Sequence, residues 1–306
     1  MTWVTRANAN DAPRGSLCVI PEVSRTKLSL VFSLNHAAGI FSALAVSTVI
    51  AVAAWRARSL SAGGGVAAFA LGVAALRVSW RWGALLILWF VLASIVSRVG
   101  QKRKAVRVAG IAVKGDRRDA RQVLANGGVF LLSALVVIFI TPSPAHNGEW
   151  NVLLAAAAAG SLAAAAADTW ATEIGTLYGQ LPWSFRTRAR VAVGTSGAIT
   201  WSGTSAMVVG GVSIALLAAL LGVIAPDFRS LVAVALGGVI GAFTDTLVGA
   251  WLQERRWCMV CELETEQTVH ACGNRTRRMG GIARLDNDVV NAFCTAVGAL
   301  FATLLT

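Results

Sequence analysis

AAAAADTWATEIGTLYGQ, residues 163–180, closes a longer apolar run that begins at residue 151. The run is long enough to cross a lipid bilayer as a helix, because about 20 apolar residues span the hydrocarbon core. It ends in two acids, Asp168 and Glu173. Acids inside or at the edge of a membrane are costly, so their usual explanation is functional. This segment therefore predicts both a membrane helix and the position of a site.

Apolar character extends along the whole chain. Of the 306 residues, 56% are hydrophobic and 14% are charged, whereas a soluble domain has about 25% charged residues. The mean hydropathy is +0.65. Stretches suited to spanning a bilayer cover residues 30–54, 63–76, 82–96, 124–140, 151–174, 204–225, 231–252 and 289–304. The second and third are short and fit either two tilted helices or one re-entrant pair. The sequence predicts an all-α, polytopic integral membrane protein with about seven or eight transmembrane helices.

Basic residues predict the orientation in the membrane. The formal net charge is +12, and residues 101–121 form the most basic segment. By the positive-inside rule this segment is cytoplasmic, and residues 185–190 and the loop that starts at Glu254 then lie on the same side. The polar motifs are therefore expected at the cytoplasmic face, in the plasma (inner) membrane if the protein is bacterial. Because no nucleic-acid-binding motif accompanies the charge, we expect the lipid bilayer rather than nucleic acid as its partner.

The expected domain organisation has two parts. Residues 1–29 contain basic residues but no apolar core of the length that a signal peptide needs, so they are predicted to form a disordered tail. Residues 30–306 are predicted to form a single membrane-embedded domain. Within it, residues 254–287 form a cysteine-containing cytoplasmic loop that we interpret as ordered by zinc.

Small residues and an acid recur at every fourth position in two of the apolar stretches. These stripes are Gly160, Ala164, Asp168 and Thr172 in the first, and Gly237, Gly241, Asp245 and Gly249 in the second. Residues four apart share one helix face, and small residues there let two helix backbones approach closely. Packed together, the stripes would bring Asp168 and Asp245 into a carboxylate pair suited to Mg²⁺, which prefers oxygen ligands. The alternative is that each acid reaches water or pairs with an arginine such as Arg186.

Glu173 is the third candidate acid. It follows Asp168 by five residues, which places it about 140° around an ideal helix. To reach the same ion it would need an unwound turn, for which Gly175 is the candidate. Its predicted role is catalytic, either completing the metal shell or orienting a ligand.

The segment 191–206, VAVGTSGAITWSGTSA, has the composition of an anion-binding loop. Glycines expose backbone N–H groups, hydroxyls add donors, and the segment leads into a helix N-terminus, so that it could cradle phosphate. The predicted phosphate-binding residues are Gly194, Thr195, Ser196, Gly197, Gly203, Thr204 and Ser205. Taken alone, the segment is equally consistent with a flexible loop, because it lacks the G-x-x-x-x-G-K-[ST] pattern.

Two features near the basic segment are further candidates for phosphate binding. Lys102, Arg103 and Lys104 could hold an acceptor phosphate or could serve only to set the topology. Asn126 enters the membrane beside two glycines, where a side-chain amide needs a partner.

The final apolar stretch opens with RLDNDVVN, residues 284–291. Asp286, Asp288 and Asn291 combine a helix N-cap with oxygen ligands, and Asp288 and Asn291 share one helix face. Capping explains the aspartates but not an amide inside an apolar helix. These residues are a third candidate cluster for magnesium.

A metal-binding pattern lies in CMVCELETEQTVHACG, residues 258–273. Cys258, Cys261, His270 and Cys272 give the spacing C-x₂-C-x₈-H-x-C. Three thiolates and one imidazole suit a closed tetrahedral zinc site, and a cytosolic location argues against disulfides. The prediction is structural zinc, because four protein ligands leave no open position for catalysis. Free cysteines are the alternative.

The motifs together resemble those of the transmembrane protein 19 family, also filed as domain of unknown function 92. The resemblance rests on QKRK…RQVLANGG, AAADTWATEIG, GTSGAITWSGTSA, GAFTDTLVGAWLQ, the C-x₂-C…H-x-CG pattern and LDNDVVN, in that order, over residues 35–306. The family includes plant and cyanobacterial phytyl-phosphate kinases, which convert a prenyl monophosphate to the diphosphate. It also resembles, more distantly, the CTP-using phytol and dolichol kinases. Here Ala198 and Thr244 stand where the family commonly has glycine.

The resemblance and the polar motifs together predict a membrane kinase. The resemblance implies that the phosphoryl donor is a nucleoside triphosphate, CTP, and that the acceptor is a prenyl monophosphate such as phytyl phosphate. Mg²⁺ is the expected catalytic ion and Zn²⁺ the structural one. The alternatives are a membrane transporter for a cation or phosphorylated metabolite, and a lipid-binding or assembly protein. Transport predicts sites near the bilayer midplane, whereas the motifs here cluster near one face.

Overall fold

A computed structural model describes residues 25–108, 117–140, 149–178 and 180–306, with only the backbone at residues 25–38, 140, 149 and 150. The chain divides into two units, residues 1–40 and 41–306. In the first unit the described residues are helical. Of the tail predicted at residues 1–29, residues 1–24 lie outside the described part, and residues 25–29 are helical.

Helices dominate the described residues. They are α1 (Arg25–Arg56), α2 (Ala62–Val78), α3 (Trp80–Arg98), α4 (Gln101–Arg107), α5 (Ala120–Ile140), α6 (Glu149–Tyr178), α7 (Trp201–Leu220), α8 (Phe228–Trp251) and α9 (Asn287–Leu305). Seven of them, α1, α3 and α5–α9, are long and apolar enough to cross a membrane, and α2 is a shorter apolar helix of 17 residues. The prediction of an all-α, polytopic membrane protein with seven or eight spanning helices is confirmed.

Each of the eight predicted apolar stretches contains a helix. The two short stretches form separate helices that meet at Ser79, which ends α2 and whose side-chain oxygen accepts a hydrogen bond from the backbone N–H of Trp82 at the start of α3. Helix α4 was not predicted, because its seven residues lie in the most basic segment and carry no apolar run.

Helix α6 lies at the centre of the second unit. Every residue from 158 to 167 is buried, in a run of alanines broken only by small residues and one leucine. A helix that is apolar on every side is buried on every side. Side chains this small let neighbouring helices approach α6 closely.

Four glycines mark a point where α6, α8 and α9 approach closely. A Cβ atom added to Gly160 or to Gly237 would lie 2.6 Å from the carbonyl oxygen of Gly298, and one on Gly241 would lie 2.6 Å from the Cβ of Ala164. The two small-residue stripes therefore pack against each other, as their spacing predicts, and α9 joins them.

Two small antiparallel sheets cover one end of this bundle. The first has the order β2-β1-β3, with β1 (Trp183–Ser184), β2 (Ala189–Arg190) and β3 (Ala198–Ile199). The second has the order β5-β4-β6, with β4 (Arg255–Cys258), β5 (Leu263–Thr265) and β6 (Arg277–Gly280). Arg186, between β1 and β2, approaches Glu264 on β5 at 3.5 Å and links the two sheets. Arg255 on β4 approaches the same carboxylate at 3.7 Å from within the second sheet. The sequence did not predict these strands.

Candidate functional site

A polar cleft of ≈ 1870 Å³ opens at the end of the bundle that carries the two sheets. Helices α6 and α8 end there, and α5, α7 and α9 begin there. The remaining walls come from the loop before α7 and from the loop between α8 and α9. The cleft therefore collects segments that are more than a hundred residues apart in the sequence, such as Asn126 and Asn291.

Asp168 and Asp245 line the same cleft. They lie one helical turn beyond Ala164 and Gly241, where α6 and α8 are in contact, and the charge of Asp168 acts on Asp245. The Oδ2 atom of Asp245 is buried and has no hydrogen-bond partner among the described residues. Arg186 pairs with Glu264 instead. The alternative in which an arginine such as Arg186 neutralises these acids is therefore not what the structure shows.

The donor set around these two acids fits a hard divalent cation. Thr169, Thr246 and Asn291 line the cleft with the two carboxylates and supply further oxygen atoms. Mg²⁺ prefers such oxygen ligands and binds through one or two carboxylates while keeping waters for phosphate to replace. The unpartnered oxygen of Asp245 is where a bound ion would offset the cost of burial.

Glu173 does not lie where the sequence analysis expected it, which was beside Asp168 after an unwound turn. Helix α6 continues to Tyr178, so the chain does not unwind at Gly175. Gly175 is instead a packing glycine, because a Cβ atom there would lie 3.3 Å from the Cα of Gly203 on α7. The Glu173 carboxylate forms an ion pair with the ammonium group of Lys104. It lines the cleft from this paired position.

The three basic residues predicted on α4 do not all lie on the same face of the helix. Lys104 is 7% exposed and lines the cleft, and its Nζ also donates to the carbonyl oxygen of Ser97 at 2.7 Å. Lys102 and Arg103 are exposed and do not line the cleft. The structure thus brings only one of the three predicted residues towards the acids. The reason is the helical geometry of α4, which turns successive side chains to different faces.

Other cationic side chains line the cleft, although Lys102 and Arg103 do not. The arginines that line the cleft are Arg58, Arg98, Arg118, Arg121, Arg256 and Arg284. Some of these arginines were used in the sequence analysis only to predict the membrane orientation, and the others were given no role. For Arg118 and Arg121 a signal was available, because they flank the polar entry into α5.

The predicted anion-binding loop forms one wall of the cleft. Gly194, Thr195, Ser196, Gly197, Gly203 and Thr204 line it, whereas Ser205 is exposed and does not. Gly197 has φ +71°, and a Cβ atom there would lie 2.3 Å from the Cα of Ala250 on α8, so the loop is pressed against the end of α8. The Ser196 hydroxyl donates to Oε1 of Gln253 at 2.6 Å.

The start of α9 contributes its three predicted residues. Asp286 caps the helix by accepting from the backbone N–H groups of Asp288 and Val289, and it pairs with Arg121 at 2.9 Å. Asp288 lies 4.0 Å from the same arginine. Asn291 is 6% exposed and lines the cleft. Capping and pairing therefore account for Asp286, while Asn291 lines the same cleft as Asp168 and Asp245.

The four predicted zinc ligands are brought together. Their ligand atoms lie within 4.8 Å of one another, with 3.6 Å between the sulfurs of Cys258 and Cys272 and 3.2 Å from Nδ1 of His270 to the sulfur of Cys272. All four described cysteines are free of disulfides. A hydrogen bond from Asn274 lowers the pKa of Cys272 to about 6, which favours the thiolate that binds metal. This Cys/His cluster can bind a metal ion.

The loop that carries the cluster also forms part of the cleft. Glu266, Gln267, Thr268, Val269 and Ala271 line it, and the charge of Glu266 acts on Asp245. Sequence reasoning missed Glu266, because nothing in its neighbours distinguishes it from a solvated acid. Its position follows from the fold of the cysteine-containing loop rather than from any local pattern.

Fold and cleft together define a polytopic integral membrane protein with a charged site at one end of its helix bundle. The sequence profile of integral membrane protein DUF92 matches residues 45–299, and the chain belongs to that family. The resemblance read from the motifs is thereby confirmed.

Three relatives show how far the similarity extends. The chain is 28% identical to Protein PGR of Arabidopsis thaliana over 282 residues, which cover 85% of this chain and 96% of that protein. It is 30% identical to uncharacterized membrane protein MJ0933 of Methanocaldococcus jannaschii over 268 residues, 87% and 94% of the two chains. It is 26% identical to Protein VTE6, chloroplastic, of Arabidopsis thaliana over 247 residues, 80% and 65%. No solved structure gives a significant match.

Proposed function

We propose that this protein is a membrane kinase that transfers a phosphoryl group from a nucleoside triphosphate to a prenyl monophosphate, giving the prenyl diphosphate. CTP is the proposed donor, and a lipid such as phytyl phosphate is the proposed acceptor. The observation that carries the proposal is the pair Asp168 and Asp245, which share a cleft with hydroxyls, glycines and arginines. Membership of the DUF92 family and the similarity to Protein VTE6 support it.

Phosphoryl transfer asks a protein mainly for positioning and for neutralisation of charge. Asp168 and Asp245 would hold Mg²⁺, which when bound would neutralise charge on the nucleotide phosphates. An oxygen of the acceptor phosphate forms a bond to the γ-phosphorus, the bond from that phosphorus to its bridging oxygen breaks, and the nucleoside diphosphate leaves. Residues 194–197, with Gly203 and Thr204, would bind the nucleotide phosphates through N–H and hydroxyl groups. Asp288 and Asn291 would add oxygen ligands.

The surroundings of the site complete the proposal. Glu173 would orient Lys104 through their ion pair, so that its catalytic role would be exerted through the lysine. The Cys/His cluster would bind structural zinc and hold the loop with Glu266 against the cleft. We place the cleft on the cytoplasmic side, in the plasma membrane if the protein is bacterial, because the most basic segment lies at this end of the bundle.

The test is phosphate transfer by the purified protein in lipid nanodiscs. Phytyl, geranylgeranyl and farnesyl monophosphates are supplied with Mg²⁺ and either CTP or ATP, and the diphosphate product is measured. Asp168→Asn and Asp245→Asn are each expected to lower the rate roughly hundredfold or more, since a bound metal contributes several kcal/mol to such reactions. Asp227→Asn is the matched control, because Asp227 caps α8 at the opposite end of that helix and Asn is also a good cap.

Absence of diphosphate with every pair of donor and acceptor, from folded wild-type protein, would contradict the kinase. Uptake of a cation or phosphorylated metabolite by vesicles containing the protein would then favour the transporter alternative.

A further inference from the structure

A second, apolar cavity adjoins the polar cleft. It has a volume of ≈ 60 Å³ and lies between α1, α2, α3 and α5, with walls that include Ala51, Ala68, Leu71, Leu86 and Trp89. A single water needs ~10–15 Å³ of such space, so the cavity has room for a handful of non-hydrogen atoms. That is about the size of one branched five-carbon unit.

Three polar residues form the boundary between the two spaces. Arg118, Gln122 and Asn126 line both the apolar cavity and the polar cleft. A molecule with an apolar chain and a charged head could therefore lie across this boundary, with its chain in the cavity and its head among the arginines. Of these three residues one is cationic and two are neutral, so the head that fits between them is an anion.

Arg118 is fixed at this boundary by its own backbone and by two serines. Its carbonyl oxygen accepts from the N–H of Ser61, and its N–H donates to the carbonyl oxygen of Ser59, both at 3.0 Å. Its guanidinium donates to the hydroxyl oxygens of Ser94 at 3.0 Å and Ser97 at 3.1 Å. The backbone and both serines hold the group before any ligand arrives.

The guanidinium of Arg118 keeps donors for a ligand. Arginine has five N–H donors, and the two serines take two of them. Among the described residues no carboxylate lies within 4.0 Å of it, and Glu173, whose charge acts on it from farther away, is already paired with Lys104. Guanidinium groups bind phosphate through paired, charge-assisted hydrogen bonds.

Asn126 adds a second polar group to the same boundary. It is only 7% exposed, and its amide makes no hydrogen bond to any residue in the described part of the chain. Its amide lines both the cavity and the cleft and is free to donate to a phosphate oxygen at this boundary.

We propose that the apolar cavity and Arg118 form the acceptor subsite, which binds the first five-carbon unit and the phosphate of a lipid monophosphate. This rests on the proposed function, because the lipid bound here is the acceptor of that reaction. Arg118 and Asn126 hold the phosphate at the edge of the cleft, where it faces the nucleotide side. The remainder of the chain leaves the cavity between the helices, since a space of ≈ 60 Å³ holds only its first part.

Photolabelling tests the subsite without any phosphoryl transfer. Geranylgeranyl monophosphate with a diazirine on the unit next to the phosphate is added to the protein in zwitterionic nanodiscs, with Mg²⁺ and no nucleotide. The expected labels lie on α2 and α3 around Leu71 and Leu86. Unlabelled geranylgeranyl monophosphate should compete, whereas inorganic phosphate and phosphatidic acid at equal concentration should not.

Two variants, each with a matched control, test whether labelling depends on Arg118 and on the volume of the cavity. Arg118→Gln should reduce labelling about tenfold or more, and Ala68→Leu, which fills the cavity, should reduce it about fivefold or more. Arg117→Gln and Val66→Leu should leave it unchanged, because both side chains are exposed and line neither space. If Arg118→Gln does not fold, Ala68→Leu alone decides, since filling a cavity does not usually lower stability.

The possible outcomes separate this proposal from the kinase. Labelling at α2 and α3 that both variants weaken supports the subsite even if no nucleotide gives product. Transfer activity with an unchanged KM for the lipid in Ala68→Leu and Arg118→Gln overturns the subsite and leaves the kinase standing. Labelling elsewhere, or equal competition by phosphatidic acid, also overturns it.

Discussion

Glu254 shows how a single carboxylate organises the loop that bears the Cys/His cluster. Its Oε2 accepts from the backbone N–H of Arg284 at 2.6 Å, and its Oε1 accepts from Arg256 at 2.5 Å. These bonds, the backbone one first, lower the pKa of Glu254. The carboxylate thereby joins the two ends of the loop, residues 254 and 284, at the rim of the cleft.

The lowered pKa of Glu254 gives a pH dependence with a definite sign. A depressed folded-state pKa stabilises the fold at pH values above the ordinary carboxyl pKa, and this contribution is lost as the pH falls through the folded value. Glu254→Gln should therefore speed hydrogen exchange at the Arg284 amide at neutral pH. The difference from wild type should disappear as the pH falls below about 4. A difference that persists unchanged in acid would contradict this role of the carboxylate.

The pair formed by Lys104 and Glu173 gives a second prediction at this scale. Breaking a buried ion pair costs about 3–5 kcal/mol, and the Glu173 side chain is 25% exposed, so Glu173→Gln should destabilise the fold by about 1–3 kcal/mol. Lys104→Met combined with Glu173→Gln should recover part of that loss, because no unpaired charge remains. Denaturant unfolding of the four proteins measures the coupling. Strictly additive losses would argue against the pair.

At the scale of the helices, the crossing of α6, α8 and α9 depends on Gly298. A Cβ atom there would lie 2.5 Å from the Cβ of Ala164 and 2.8 Å from the carbonyl oxygen of Gly160. Gly298→Ala should destabilise the protein by about 1–3 kcal/mol, the usual cost of overpacking. Gly128→Ala on α5 is the control, because no atom lies within 4 Å of its added Cβ. It should be neutral or stabilising by up to about 1 kcal/mol. Equal effects of the two changes would show that the crossing is not tight.

The helices illustrate what a sequence can predict and where it stops. Long apolar runs predict buried or membrane helices directly. Small residues at every fourth position lie on one helix face, so the spacing alone predicted that the helices carrying Asp168 and Asp245 pack together. Strands of two to four residues carry no such periodicity. Arg118 acts across an interface with α2 and α3, which no local pattern records. For Glu173, spacing suggested an unwound turn, whereas the structure has a continuous helix and an ion pair with Lys104 on α4, a partner that no local pattern records.

At the scale of the whole molecule, the Cys/His cluster lies outside the helix bundle yet shapes its cleft. Cys258→Ser should lower the zinc content of the purified protein from about one ion per chain to near zero, since thiolates dominate such sites. The helical circular dichroism should remain, while hydrogen exchange in residues 258–280 increases. Cys294→Ala is the control, because Cys294 is buried in α9 and is not part of the cluster. Full zinc content in Cys258→Ser would remove the cluster from consideration as a metal site.

The close approach of Gly298 to Gly160 and Gly237 also bears on how the protein is made. Helix α9 follows α6 and α8 in the chain, so during synthesis the two aspartate-bearing helices enter the membrane before the helix that closes around them exists. Until then Asp168 and Asp245 lack the neighbours at the start of α9 that complete their surroundings. A chain that ends before α9 would therefore lack Asp288 and Asn291, which line the same cleft as the two acids.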